Sequence, residues 1–183
     1  MKRIIFDPGH GGTDPGAAYG KYIEKEIALA IALRAADCLA ARDDCWVEVT
    51  RDADIARGEL GLNERVAFSD RLRADLFVSV HCNAFTDPAA HGFEVFRFHG
   101  SLAGYAAAAS VFGAVSDRIT EIAPRSVKEA GFYVLRYTKA PAILVECGFL
   151  SNPRDGALLH DPDFQNRFGD AIAEGVLKYF NLK

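Results

Sequence analysis

RIIFDPGHGG, residues 3–12, joins a short apolar run to a glycine-rich loop that carries His10. The apolar run predicts a buried strand, and the glycines allow the backbone to turn sharply where the strand ends. A histidine that follows a buried strand directly lies at the carboxyl edge of the sheet, where α/β proteins place their sites. The stretch therefore predicts an α/β fold with a site at that edge.

Two other apolar runs end in the same way. The run at residues 76–80 is followed by His81, and the run at residues 142–145 is followed by Glu146. Such runs are typical of strands that are buried on both faces of a parallel sheet. Three strands of this kind would bring His10, His81 and Glu146 to one edge, so we expect these side chains to share a site.

Strand and helix signals alternate along the rest of the chain. Apolar residues at helical spacing predict helices at about residues 24–42, 62–73 and 102–122, and a capping residue followed by proline starts two more at Asn152 and Asp161. Strand patterns are found at residues 46–50, 92–98 and 134–137. With no linker or repeat in the sequence, we expect one domain, residues 1–183.

The composition excludes several classes of function. Half of the 183 residues are hydrophobic and a quarter are charged, as in a globular domain, and the net charge of −4 argues against a nucleic-acid partner. No apolar run reaches the roughly 20 residues that a membrane helix needs, so we expect no membrane insertion. We also expect a monomer.

The four cysteines Cys38, Cys45, Cys82 and Cys147 form no closely spaced pair. We expect them to be reduced thiols packed in the core. Strand alternation sends Cys82 and Cys147 to the face opposite His81 and Glu146, so we expect neither thiol to take part in the site.

His10 and His81 are candidate metal ligands, because neutral imidazole nitrogens are common ligands of catalytic zinc. Glu24 is the preferred third ligand, since the loop after His10 enters the first helix there and can return the carboxylate over the sheet edge. Asp7 and Asp14 are the alternatives, and Asp7 is expected instead to support a ligand by a hydrogen bond or to cap a turn. Zn²⁺ is the predicted cofactor.

Each of these residues alone has an ordinary structural explanation. A histidine in a glycine-rich loop often supports a turn, and a glutamate at a helix start often interacts with the helix dipole. The combination favours a site, because Glu146 ends an apolar run and its burial is costly without a partner.

A series of short motifs extends over nearly the whole chain: Asp7-Pro8-Gly9-His10-Gly11-Gly12, Asp14-Pro15-Gly16-Ala17, Glu24-Lys25, Thr50-Arg51, Ser79-Val80-His81-Cys82-Asn83-Ala84, Gly92-Phe93-Glu94 and residues 141–152, PAILVECGFLSN. In this order the motifs resemble the zinc-dependent N-acetylmuramoyl-L-alanine amidases, the amidase 3 family. That family includes the catalytic domains of phage and prophage lysins and of bacterial cell-wall amidases.

The resemblance implies a three-layer α/β/α sandwich around a roughly six-stranded, mainly parallel sheet. It implies zinc held by His10, Glu24 and His81, and it makes Glu146 the catalytic carboxylate. The implied substrate is peptidoglycan, cut at the amide between N-acetylmuramic acid and L-alanine. Asn83 is a candidate for positioning the substrate.

The implied activity leaves further expectations. Glu94 is a candidate for supporting a ligand from behind. The short segment between residues 98 and 134 leaves little room for a self-blocking helix, so we expect an open site. With no export signal in the sequence, we expect a protein that is cytoplasmic until released to the wall, or a chain trimmed of its leader.

Two rival functions remain open at this point. One is a zinc peptidase that acts on another peptide substrate. The other is a non-catalytic wall-binding module, which intact His10, Glu24, His81 and Glu146 argue against, since such a module needs no metal with an open position.

Overall fold

A six-stranded mixed sheet lies between two layers of helices in the computed structural model, which describes residues 1–54 and 60–182. The strands are β1 (Lys2–Pro8), β2 (Ala18–Tyr19), β3 (Tyr22–Ile23), β4 (Cys45–Val49), β5 (Leu76–Asn83), β6 (Phe93–Arg97), β7 (Pro124–Glu129) and β8 (Ala142–Phe149). The helices are α1 (Glu24–Ala40), α2 (Leu62–Leu72), α3 (Leu102–Arg118), α4 (Tyr133–Tyr137), α5 (Pro153–Leu159) and α6 (Pro162–Tyr179). The predicted three-layer α/β/α class is confirmed.

The main sheet has the strand order β4-β1-β5-β8-β6-β7. Strands β4, β1, β5 and β8 are parallel, whereas β6 pairs antiparallel with β8 and parallel with β7. The carboxyl ends of β1, β5 and β8 are therefore neighbours. In register, His81 lies opposite Glu146, and Glu146 lies opposite Glu94 on its other side.

The two faces of the sheet are covered unequally. Helices α1, α3 and α6 pack against one face of the sheet and enclose a large apolar core that includes Phe6, Val80 and Phe168. Helices α2 and α4 cover the other face around a smaller core that includes Phe77 and Leu144. Residues of α2 and α4 also line a cleft at the ends of the central strands.

One predicted strand is wrong. Residues 134–137 belong to α4, a single helical turn that buries Val134 and Leu135 against the sheet. Four residues, three of them apolar or aromatic, fit a strand or a helical turn equally well by periodicity, and tertiary packing decided between them.

The strand that completes the sheet is β7, which the sequence did not indicate. Its residues, PRSVKE, are mostly polar, and it begins with proline. It is an edge strand paired only with β6, and edge strands accept proline and charged residues because one side of the backbone faces solvent.

The remaining helices lie close to their predicted positions. Asn152 and Asp161 cap α5 and α6 with their side chains, as expected, and α3 ends earlier than predicted, at Arg118. None of the helices in the described ranges is long and apolar enough to cross a membrane.

Candidate metal centre and catalytic cleft

A cleft of about 570 Å³ opens at the carboxyl ends of β1, β5 and β8. Four predicted site residues line it: His10, Glu24, His81 and Glu146. They come from four separate segments of the chain, namely the loop after β1, the first residue of α1, β5 and β8. The sheet order brings these segments together, since β1, β5 and β8 are consecutive neighbours.

Two imidazoles and one carboxylate converge in this cleft. Oε1 of Glu24 lies 3.1 Å from Nε2 of His10 and 2.9 Å from Nδ1 of His81. One ligand atom from each of the three residues lies within 4.8 Å of the others. This spacing allows all three to reach a single metal ion, so Glu24 occupies the position that the sequence analysis gave it.

The loop around His10 has a strained backbone at His10 and no room for a side chain at Gly9 or Gly16. His10 adopts φ 59°, a left-handed conformation that costs about 1 kcal/mol or more for a residue with a side chain. A Cβ at Gly9 would lie 2.3 Å from the His81 ring, and one at Gly16 would lie 2.6 Å from both Glu24 and His10. Both glycines are therefore required by the packing of the three candidate ligands.

Backbone donors hold the Glu24 carboxylate in place. Oε1 accepts the N–H of Cys82 at 3.0 Å, and Oε2 accepts the N–H of Ala17 at 2.8 Å. Burial by itself would raise the pKa of Glu24, but the hydrogen bonds and charges of His10 and His81 hold it well below its usual value. Glu24 is therefore a carboxylate with a fixed orientation.

Asp14 orients His10 from the far side of the ring. Its Oδ2 lies 2.6 Å from Nδ1 of His10, and its Oδ1 accepts the N–H of Gly16. Burial by itself would lower the pKa of His10, but the hydrogen bonds and charges of Glu24 and Asp14 raise it to about 9. The sequence analysis weighed Asp14 only as an alternative ligand, although its spacing of four residues from His10 was the available signal for this role.

Glu146 lies beside this group on β8, directly opposite His81. Its Oε2 is enclosed and accepts no hydrogen bond from the described residues. Burial, together with the negative charges of Glu24 and Glu94, raises its pKa to about 7 against the opposing effect of His81 and His10. A carboxyl group with a pKa near neutrality can both accept and donate a proton.

Asp7 supports the loop and does not contact a candidate metal ligand with its side chain. Its carboxylate accepts hydrogen bonds from Thr50 and Ser79 and pairs with Arg65 Nη1 at 2.6 Å. Arg65 in turn donates to the backbone carbonyl of His10 at 2.6 Å. Asp7 therefore acts on the loop through Arg65, which differs from the expected hydrogen bond to a ligand.

A second buried arginine fixes the same loop. Arg51 donates to the backbone carbonyls of Gly9 and Lys25, both at 2.7 Å. These bonds tie the end of β1 to the first turn of α1. The positions of His10 and Glu24 are thereby coupled through one guanidinium.

Asn83 and Glu94 form a separate polar pair next to the cleft. Asn83 lines the cleft and donates to Glu94 Oε1 at 3.1 Å. Glu94 is buried and also contacts Lys128 and Arg125. Among the described residues, no hydrogen bond joins Glu94 to His10, Glu24 or His81. The carboxylate that supports a candidate ligand is Asp14, and not Glu94 as expected.

The four cysteines are free thiols, as predicted. Cys82 and Cys147 belong to the larger core, as expected, although Cys82 also borders the cleft. A hydrogen bond with Cys147 and complete burial raise the pKa of the Cys82 thiol well above its usual value. The Cys82 side chain therefore remains a neutral thiol.

Comparison with known proteins gives one family. The profile of the N-acetylmuramoyl-L-alanine amidase family matches residues 4–178. The endolysin of Bacillus phage SPP1 is 36% identical over all of this chain and 67% of its own length. The germination-specific N-acetylmuramoyl-L-alanine amidase of Bacillus subtilis (strain 168) is 33% identical over all of this chain and 81% of its own length.

A solved structure supports the same relationship. The catalytic domain of CwlV, an N-acetylmuramoyl-L-alanine amidase from Bacillus (Paenibacillus) polymyxa var. colistinus, superposes with a TM-score of 0.93. Sequence identity is 35%, and the match covers all of both chains.

Proposed function

Since the chain belongs to the N-acetylmuramoyl-L-alanine amidase family, we propose that His10, Glu24 and His81 hold a zinc ion and that Glu146 carries the proton in its reaction. The activity is hydrolysis of the amide between N-acetylmuramic acid and L-alanine in peptidoglycan. The observation that carries the proposal is the enclosed, unpaired Oε2 of Glu146 beside a His-Glu-His group.

The donor set fits zinc. Two imidazole nitrogens and one carboxylate oxygen are a known ligand set of catalytic zinc, and they leave a fourth position for water or substrate. The second ring nitrogen of His10 already interacts with Asp14, the carboxylate–histidine arrangement that fixes ligand imidazoles in zinc sites. Zn²⁺ is therefore the proposed metal.

The metal and Glu146 then divide the hydrolysis between them. Bound zinc lowers the pKa of water and polarises the amide carbonyl. Glu146 accepts a proton from the attacking water and donates it to the amine nitrogen as the carbon–nitrogen bond breaks. An amide needs this second transfer because an unprotonated amine leaves poorly. Burial of Glu146, which raises its pKa in the metal-free site, suits its carboxyl to holding the proton between the two transfers.

We further propose that residues 1–183 act as one catalytic domain and as a monomer. The support is that all four site residues lie in one cleft of one chain, on one continuous sheet. The place of action is the cell wall. The expected cytoplasmic stage before release stays a prediction.

Analysis of the new ends after digestion of purified peptidoglycan tests the reaction. We expect free amino groups of L-alanine to appear without new reducing sugars. Amino ends of any other residue would indicate a peptidase, and binding to the wall without new ends would indicate a binding module.

A further inference from the structure

A basic pair lies beside the cleft on β7, the second strand beyond β8. Lys128 on β7 and Arg125, also on β7, both reach the buried carboxylate of Glu94, whose side chain is 3% exposed. Arg125 Nε lies 3.3 Å from Glu94 Oε2, and Lys128 contacts the same oxygen. One carboxylate therefore gathers two cations next to the site.

The charges of this group do not cancel. One cation neutralises Glu94, and Asn83 already donates to its other oxygen. The second cation leaves one positive charge, and the two basic side chains are 37% and 39% exposed. A positive charge that faces solvent beside a substrate cleft can receive an anionic group of the substrate.

The distances suit a group two residues from the cut bond. Glu146, Glu94 and Ser126 are successive partners across β8, β6 and β7. Lys128 lies two residues beyond Ser126, opposite Phe96. With strands about 4.8 Å apart and a rise of about 3.3 Å per residue, its Cα lies roughly 12 Å from that of Glu146, whereas two extended residues span about 7 Å. The side chain of Lys128 can cover the difference.

The opposite wall of the cleft favours a different part of the substrate. It contains Leu60 and Leu62, at the start of α2, which contacts β1. Apolar side chains suit the uncharged sugar better than a charged peptide. The stem peptide is therefore directed toward β6 and β7.

From this arrangement we propose that Lys128, with Arg125, binds the free α-carboxylate of the second residue of the stem peptide and makes the enzyme prefer that form to the amidated one. The proposal rests on the amidase function proposed above. In this proposal the Glu94 carboxylate holds the side chains of Lys128 and Arg125 in position, and Asn83, which lines the cleft, holds Glu94 by a hydrogen bond.

Two synthetic muramoyl tripeptides test the preference: N-acetylmuramoyl-L-alanyl-γ-D-glutamyl-L-lysine and its D-isoglutaminyl counterpart. They differ only in whether the α-carboxyl of the second residue is free or amidated. We expect the wild type to favour the free acid about twofold to fivefold in kcat/KM, as for one partly exposed charge pair. The preference should shrink as salt rises.

Variants assign the preference to the lysine. Lys128→Met should remove most of it, so that the two tripeptides are cleaved at nearly equal kcat/KM, and Lys128→Arg should keep it. Lys139→Met is the matched control. This lysine also faces a carboxylate, with Asp70 at 3.7 Å, but it lies just before β8, at the end of that strand away from the cleft. If Lys128→Met does not fold, Arg125→Gln is measured in its place.

The outcomes separate this proposal from the function on which it rests. Equal cleavage of both tripeptides by the wild type, or a preference that survives in folded Lys128→Met protein, overturns the role of the basic pair alone. If only polymeric peptidoglycan is cleaved, the same comparison is made with peptidoglycan in the two amidation states. Failure to release L-alanine amino ends from any of these substrates contradicts the amidase function itself.

Discussion

Asp14 holds His10 by the ring nitrogen that faces away from the candidate metal position, with Oδ2 of Asp14 2.6 Å from Nδ1 of His10. The other ring nitrogen, Nε2, is thereby turned toward Glu24. Because a carboxylate behind an imidazole fixes its orientation and raises its basicity, this contact prepares His10 to bind a metal. It also compensates for the left-handed backbone of His10.

Asp14→Asn should therefore weaken zinc binding about 10- to 100-fold while the protein stays folded. Competition with a chromophoric chelator measures the affinity. Asp54→Asn is the control, since Asp54 contacts Gly12 and Lys25 near the same loop but not His10. An unchanged affinity in Asp14→Asn would remove this residue from the metal site.

His81→Ala should lose zinc and activity together, because two remaining protein ligands hold the ion far more weakly than three. We expect one zinc per chain in the wild type, with activity lost on chelation and restored by added Zn²⁺. Metal analysis and hydrolysis rates on the same samples give the answer. Full activity after verified metal removal would contradict the zinc assignment.

Glu146→Gln should retain zinc and lose most of the hydrolysis rate. General acid–base catalysis contributes about 10²- to 10⁴-fold, and Glu146 serves both proton transfers, so the loss should reach the upper end. Zinc content and turnover are measured side by side on folded protein. A metal-free variant would identify Glu146 as a ligand, and a metal-loaded variant of normal rate would exclude it from the mechanism.

The same substitution should stabilise the metal-free protein at high pH. The pKa of Glu146 is raised from the usual 4.5 to about 7, so its contribution to stability is fully present below pH 4.5 and lost as the pH rises through 7. The loss amounts to roughly 3 kcal/mol at most. Glutamine cannot ionise, so the Glu146→Gln protein does not lose this free energy of unfolding at high pH.

Urea unfolding of the two metal-free proteins at several pH values measures this effect. The variant should exceed the wild type in free energy of unfolding at pH 8, and the difference should vanish near pH 4. A difference that is independent of pH would show that ionisation of Glu146 is not its source.

Cys82→Ala and Cys147→Ala should each cost about 1 kcal/mol or more of stability, because both leave a small cavity in the larger core. Zinc content and turnover should be unchanged. The contact of Cys82 with Glu24 is made by the backbone N–H, which the substitution retains. Denaturant unfolding and metal analysis test both statements, and zinc loss in a folded variant would mean that the ligand set is wrong.

The site was largely predictable because its residues have a local signature. His10, His81 and Glu146 each follow an apolar run, and runs of that kind form the central strands of a parallel sheet. The parts that were missed lack such a signature. Strand β7 is polar because it is an edge, and α4 is too short to reveal its period.

The sequence by itself determined the fold class and the reactive groups of the site: two imidazoles, one carboxylate at the start of a helix and one at the end of a strand. These properties follow from residue types and from periodicity along the chain. Only the tertiary structure decided the partners, namely Asp14 behind His10, Arg65 between Asp7 and the loop, and Glu94 beside Glu146. The reason is that hydrogen bonding, burial and pKa depend on distances that only the folded chain fixes. Most of these contacts join segments far apart in sequence, and even the contact between Asp14 and His10, four residues apart, depends on the conformation of their loop.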